Sequence, residues 1–391
     1  MRDAVSRQFQ SRLGNPDRAA KVFREGTPMP TPTPADGSAQ PHSLADVLHV
    51  QGLRLFFRPS LYITWNPLIP KAPIPSPLLP ILPSSPLLRP SSSVLYRMQA
   101  ARETPSTEHE VTLRIPSAQT GVDIVGILHH HHSTQQQSSN VALILHGLMA
   151  HKNQSYHREL AAALPMDSFR FDFRGNGETG GAWGMCNIAH DIEDLQAVVH
   201  HLRSQLGYRI ELIVGHSRGS LDAWAYLGRD ERLRWDDATD VPYLVAVSGR
   251  WDMPRVLDRY DMYKPGFEKE GVFRWRTKSA GVQREYPVYP SDLSRMARFP
   301  IRSIVKRLPL DTDVLLVHGT EDRTVPVQDA GSYLKELSSN PRRSRDSQQI
   351  QLIQGSDHMY KGYTHDVVER ILGWYHQRKA ARATAPAQAR L

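Results

Sequence analysis

Residues 210–220 read Ile210-Glu211-Leu212-Ile213-Val214-Gly215-His216-Ser217-Arg218-Gly219-Ser220, a nearly continuous apolar run that ends on a G-x-S-x-G pentapeptide. A run of this kind suits a strand covered on both faces in a parallel sheet. Glycine two positions either side of Ser217 lets the backbone turn sharply without side-chain collisions and leaves a hydroxyl at the tip. A helix beginning near Ser220 points its amides and dipole at that hydroxyl, where negative charge is favoured. The competing reading is an ordinary strand-to-helix turn with a capping serine, and the placement between strand and helix favours a nucleophile.

Outward from this stretch the chain keeps the same alternation. Glu110–Ile115 and Val122–Leu128 alternate apolar and polar residues around Gly121, as a hairpin does. Further short β-rich runs are Val141–Leu145, Phe169–Phe173, Leu244–Val247, Val314–Val317 and Ile350–Ile353. Helical periodicity lies between them at Ala189–Leu206, where Ile192, Leu195, Val198, Val199 and Leu202 form one stripe, and at Val325–Leu337 and His365–Gln377. Strands alternating with helices predict an α/β class, a mostly parallel doubly wound sheet.

A serine hydroxyl needs a base, and the base needs an orienting carboxylate. In this topology the order is Ser, acid, His, each on a loop at the carboxyl end of a strand. Val314–Val317 runs into His318-Gly319-Thr320-Glu321-Asp322, which puts Asp322 in the acid position. Ile350–Ile353 runs into Gly355-Ser356-Asp357-His358, which puts His358 in the base position. Glu321 and Asp357 compete as carboxylates, and His365 competes as base. Two amides must also face the developing oxyanion. One is that of Arg218; the other falls to Leu148, on the loop His146-Gly147-Leu148-Met149 after the first apolar run.

Together these segments resemble the serine-aminopeptidase-like, esterase/lipase branch of the α/β-hydrolase superfamily. The resemblance rests on Leu145-His146-Gly147 with Lys152 and His157-Arg158-Glu159-Leu160, on Asp172-Phe173-Arg174-Gly175-Asn176-Gly177, on Gly215–Gly219, and on the two loops ending in Asp322 and His358. It covers roughly residues 108–378. It implies the α/β-hydrolase fold, a Ser217–Asp322–His358 triad, and Leu148 and Arg218 as oxyanion amides. The activity it implies is hydrolysis of carboxylic esters, less so of amides or peptides, with acyl transfer or a non-catalytic binding protein as alternatives. Arg218 departs from the smaller or uncharged residue of many relatives, which admits side-chain crowding or an added anion contact.

Composition bounds the rest. Residues 1–97 hold 16 of the 29 prolines and 11 Lys/Arg against 5 Asp/Glu, so most of the net charge of +8 sits there. That segment reads as a disordered proline-rich leader, with a start at Met98 as the alternative. The folded part, 98–378, is close to neutral, which argues against a nucleic-acid partner. No run reaches the roughly 18–20 apolar residues of a membrane span. A single cysteine, Cys186, argues for a reducing compartment and against a disulfide framework. The expected location is cytoplasmic, with peroxisomal import through Ala389-Arg390-Leu391 in the flexible tail 379–391 as the alternative. No cofactor or metal is expected, and the His129–His132 run has no acidic or cysteine partner beside it in sequence. The partner is a small ester or acyl substrate. An insertion at about 251–309 takes the position of a lid, with nine aromatics and 13 Lys/Arg against 7 Asp/Glu. Its Arg274, Arg276, Lys278 and Arg284 are candidates for attracting an anionic part of the substrate, and its aromatics for favouring an apolar or aromatic acyl group.

Overall fold

The computed structural model describes residues 109–117, 121–131, 139–229 and 241–384. The leader at 1–97, His132 of the histidine run and the terminal Ala389-Arg390-Leu391 lie outside these residues. The first strands, β1 (Glu110–Ser117) and β2 (Val122–His129), form the expected antiparallel hairpin. Then follow β3 (Asn140–Leu145), α1 (His157–Ala163), β4 (Asp167–Phe171), α2 (Ile188–Ser204), β5 (Arg209–His216), α3 (Arg218–Leu227) and β6 (Tyr243–Val247). The insertion supplies α4 (Tyr260–Glu270), β7 (Phe273–Ser279), β8 (Val282–Val288), α5 (Pro290–Ala297) and α6 (Ile301–Lys306). The chain closes with β9 (Asp313–Gly319), α7 (Gln328–Ser338), β10 (Gln348–Ile353) and α8 (Thr364–Thr384).

Among the described residues the main sheet has eight strands in the order β1-β2-β4-β3-β5-β6-β9-β10. From β4 to β10 every pairing is parallel. The pleat explains the continuous apolar runs. Leu143, Leu145, Ile213, Leu244, Val314 and Leu316 turn to one face and pack with the stripe of α2 and with α3. Their neighbours Ala142, Ile144, Leu212, Val214, Val245, Leu315 and Val317 turn to the other, against α1 and α8. The inner strands β3, β4, β5, β6 and β9 are buried on both sides because successive side chains alternate.

Several boundaries differ from the sequence expectation: the last helix runs Thr364–Thr384 rather than His365–Gln377, and three further differences bear on the loops around Ser217. The fourth strand is Asp167–Phe171, not Phe169–Phe173. Phe173 is buried, but its amide donates to the ring of His146 at 3.0 Å and so leaves the ladder. The helix after Gly215–Gly219 starts at Arg218, two residues earlier than Ser220. The helix expected from Val325 starts at Gln328, because the Val325 amide caps the carboxylate of Asp322.

The insertion is not a simple helical cap. Its β7–β8 hairpin and helices enclose a separate apolar cluster of Met185, Tyr263, Val288 and Leu293, onto which Leu148 and Trp183 pack. Trp183 lies 4.9 Å from Tyr286 between ring centroids, Ser279 Oγ contacts the Ala150 carbonyl at 3.5 Å, and Arg284 donates to the Gly177 carbonyl. No helix among the described residues is long and apolar enough to cross a membrane.

Candidate active site

Ser217 stands at the turn between β5 and α3 with φ 53° and ψ −112°, a conformation that costs energy for any residue with a Cβ. Neighbouring bonds hold it: its amide donates to the Val247 carbonyl at 2.8 Å, and its carbonyl accepts from Ser220 Oγ at 2.7 Å. The two glycines are required by close approach. A Cβ at Gly215 would lie 2.3 Å from the Gly219 carbonyl oxygen, and one at Gly219 would lie 2.5 Å from that of Leu145.

His358, on the loop after β10, brings Nε2 to 3.0 Å from Ser217 Oγ and Nδ1 to 2.7 Å from Asp322 Oδ2. Asp322 is fixed in turn by the amides of Thr324 and Val325, both 2.8 Å from Oδ1, and by His318 Nε2 at 3.3 Å from Oδ2. Burial pushes the Asp322 carboxyl up. Hydrogen bonds from His318 and His358, the charge of His358 and the Val325 amide outweigh it and hold the carboxyl well below the usual range. These contacts favour its anionic form.

The competing groups lie elsewhere. Glu321 is exposed. Asp357 is exposed too, and its carboxylate accepts the amides of Met359 and Lys361. His365 is exposed at the start of α8 and contacts Glu159 at 2.9 Å. Of the sequence candidates, the structure brings together Ser217, Asp322 and His358.

Leu148 and Arg218 both line the cavity that contains Ser217 and His358. The Gly147 amide is committed to Gln154 Oε1 at 3.0 Å, which leaves Leu148 as the next amide on that loop. The Arg218 side chain does not reach for a substrate anion. It is buried and turns to Asp191 at 2.6 Å, Asp222 at 3.3 Å and the Met185 carbonyl. Beneath the nucleophile lies an aromatic and imidazole floor. His216 packs on His358 with centroids 5.3 Å apart, and on Tyr156, His157 and Tyr360. Lys152 ion-pairs with Asp172 at 2.6 Å and with Glu178, and ties the loops after β3 and β4 together.

Two expectations are corrected. Arg274 and Arg276 are not free to attract a substrate, because both pair with Glu285 across the hairpin, at 2.8 and 2.9 Å. Arg284 donates through one terminal nitrogen to the Gly177 carbonyl, and its buried Nε has no hydrogen-bond partner among the described residues. The histidine run does have acidic neighbours, contrary to its sequence context: His130 Nδ1 is 3.0 Å from Asp167, and His129 Nδ1 is 3.8 Å from Glu110. Among the described residues no group of three metal-ligating side chains gathers there or elsewhere.

The cavity beside Ser217 measures about 260 Å³. Its walls are largely apolar, with Met185, Leu221, Met253, Val256, Tyr263 and Met296, and two arginines, Arg250 and Arg259, border it. The sequence reading missed these arginines. Arg250 follows the tip of β6, so its distance along the chain from Ser217 hides a position one strand away in the sheet.

Residues 142–367 match the model of the alpha/beta hydrolase family, and the chain belongs to that family. An uncharacterized protein of Saccharomyces cerevisiae, YDL057W, is 27% identical over 247 residues, which span 58% of this chain and 71% of the yeast protein. The fold is similar to that of Est1E from Butyrivibrio proteoclasticus, solved with ferulic acid bound (TM-score 0.51) and in a second structure (TM-score 0.50). Both are 16% identical to this chain and covered to 99% of their length; they cover 68% and 69% of this chain.

Proposed function

We propose that this alpha/beta hydrolase family member cleaves carboxylic esters through an acyl-enzyme on Ser217. The observation that carries the reading is the chain of contacts from Ser217 Oγ to His358 at 3.0 Å and on to Asp322 at 2.7 Å. Ser217 Oγ attacks the ester carbonyl as His358 Nε2 takes its proton. The tetrahedral oxyanion accepts from the Leu148 and Arg218 amides, at the dipolar start of α3. His358 then protonates the departing alcohol. A water molecule, deprotonated by the same nitrogen, attacks the acyl-enzyme and releases the acid with Ser217 restored. Asp322 stays ionised throughout and stabilises the imidazolium, so it orients and does not exchange a proton.

The test is labelling by a fluorophosphonate probe, which forms a stable bond only with an activated serine. The wild-type protein should be labelled at Ser217, and Ser217→Ala should not. Absence of labelling in folded wild-type protein refutes the reading.

A further inference from the structure

Arg250 is half-buried at the rim of the cavity, directly after β6. Its one protein hydrogen bond among the described residues is to the Thr324 carbonyl, at 2.6 Å. A guanidinium carries five N–H donors in a planar fork, so this bond leaves most of them unassigned. No carboxylate among the described residues comes within ion-pair distance of it. The nearby acids are engaged: Asp329 accepts the amides of Trp251 and Asp252, and Asp322 is held by His318, His358 and two amides. A second cation, the exposed Arg259, borders the same cavity, and its hydrogen bond among the described residues is to the Arg323 carbonyl at 3.2 Å.

Several other arginines are paired with carboxylates, whereas the buried Arg343, like Arg250, is held by neutral oxygens, the Thr312 and Pro309 carbonyls and Ser347 Oγ. Arg170, Arg174 and Arg218 each have a carboxylate within 3 Å, and Arg274 and Arg276 share Glu285. Two like charges that border one largely apolar cavity repel each other, and the half-buried Arg250 also loses hydration; an anion from outside offsets both. Burial, the largest influence, weighs against the Arg250 charge; Asp329 supports it, while Arg259 and Arg255 oppose it.

We infer that Arg250 and Arg259 form a carboxylate-binding pole of the substrate cavity, so that the preferred esters carry a carboxylate separated from the scissile carbonyl by an apolar segment. The inference rests on the ester-hydrolase reading above. The fork of Arg250 suits a carboxylate held by two parallel bonds, while the methionine and valine walls between it and Ser217 suit the segment that joins the two groups.

The experiment uses two matched pairs of esters and the full-length chain. One pair places the charge on the acyl side: 4-methylumbelliferyl hemiglutarate against its methyl-capped analogue. The other places it on the leaving side: the butyrate ester of 4-hydroxybenzoate against that of 4-hydroxybenzamide. Wild-type protein should favour the anionic member of at least one pair by about 10- to 100-fold in kcat/KM, the range for a hydrogen bond to a charged group. Arg250→Gln should bring that ratio close to one through a rise in KM for the anion, Arg259→Gln should reduce it, and Arg250→Lys should retain part of it. If Arg250 served only to hold the 323–324 loop, its loss would slow both members equally and leave the ratio unchanged, which overturns the inference. A wild-type ratio at or below one in both pairs also overturns it, and needs no variant to fold. Fluorophosphonate labelling of the same preparations separates the two failures. Labelled protein that hydrolyses neutral esters without anion preference refutes the carboxylate pole alone, whereas unlabelled, inactive protein refutes the hydrolase reading and this inference with it.

Discussion

The Phe173 amide donates to Nε2 of His146 at 3.0 Å, while Nδ1 of the same ring lies 2.8 Å from the Gly147 carbonyl oxygen. One nitrogen must accept and the other must donate, so the ring is the neutral Nδ1–H tautomer. Burial lowers the proton affinity of His146 and favours that neutral state. His146 thereby joins the loop after β4 to the loop that carries the Leu148 amide.

Replacing His146 by alanine leaves the buried Phe173 amide without an acceptor and the Gly147-Leu148 turn without its brace. The expected cost is about 1–3 kcal/mol in urea unfolding. Ester turnover should fall mainly in kcat, because an oxyanion donor acts on the transition state more than on the bound ester. A variant with wild-type kcat would dissociate the brace from the chemistry.

Stability should fall as pH drops below about 6.5. Burial lowers His157 to about 3 and pushes His216 well below its ordinary value, with neighbouring histidines adding to both. Both rings stay neutral in the folded protein while the unfolded chain takes up protons. Their contribution is therefore complete above the unfolded value and is lost toward acid. Between pH 7 and 5.5 each ring should cost about 1 kcal/mol of unfolding free energy. Urea midpoints that do not move over this interval contradict the assignment of neutral rings.

Arg218→Met should destabilise the protein by about 3–5 kcal/mol, since it strands Asp191 and Asp222 beside each other in the interior. Burial and Asp191 already push the Asp222 carboxyl well above its usual range even with Arg218 present. Chemical unfolding of the variant at neutral pH checks this, and a loss under 1 kcal/mol would count against the pairing.

Asp322→Asn keeps an oxygen for the Thr324 and Val325 amides but can no longer accept from both imidazoles as an anion. Turnover should fall on the order of 10⁴-fold with little change in KM, as for loss of the group that orients the base. Circular dichroism and a melting curve on the same sample separate this loss from misfolding.

The three groups of the candidate site were legible because each follows a recognisable strand, and loops at the carboxyl ends of neighbouring parallel strands must converge. The loop that carries Leu148 into the same cavity was legible for the same reason. The charge on the insertion was misread because a count of arginines does not show who faces them. Arg276 and Glu285 are nine residues apart but directly opposite in the β7–β8 register. Arg250 and Arg259 went unnoticed because their distinction is the lack of an internal partner, a property that exists only once the chain has folded. Phe173 was assigned to a strand because its burial is real; its amide, however, belongs to His146.

Some contacts that join the insertion to the body reach α7, through Trp251 to Asp329 and through Arg302 and Lys306 to Glu336, and others fall on the loops after β3 and β4. Ser279 reaches Ala150, Arg284 reaches Gly177, and Leu148 itself packs into the insertion's aromatic cluster. The roof of the cavity and the loop that carries the Leu148 amide are thus in direct contact. A roof taken from another family member cannot simply be grafted on: it would have to bring its own partners for the Gly177 and Ala150 carbonyls and its own seat for Leu148. Replacement of single cavity residues, such as Met253 or Met296, accordingly disturbs fewer of these contacts than exchange of the whole module.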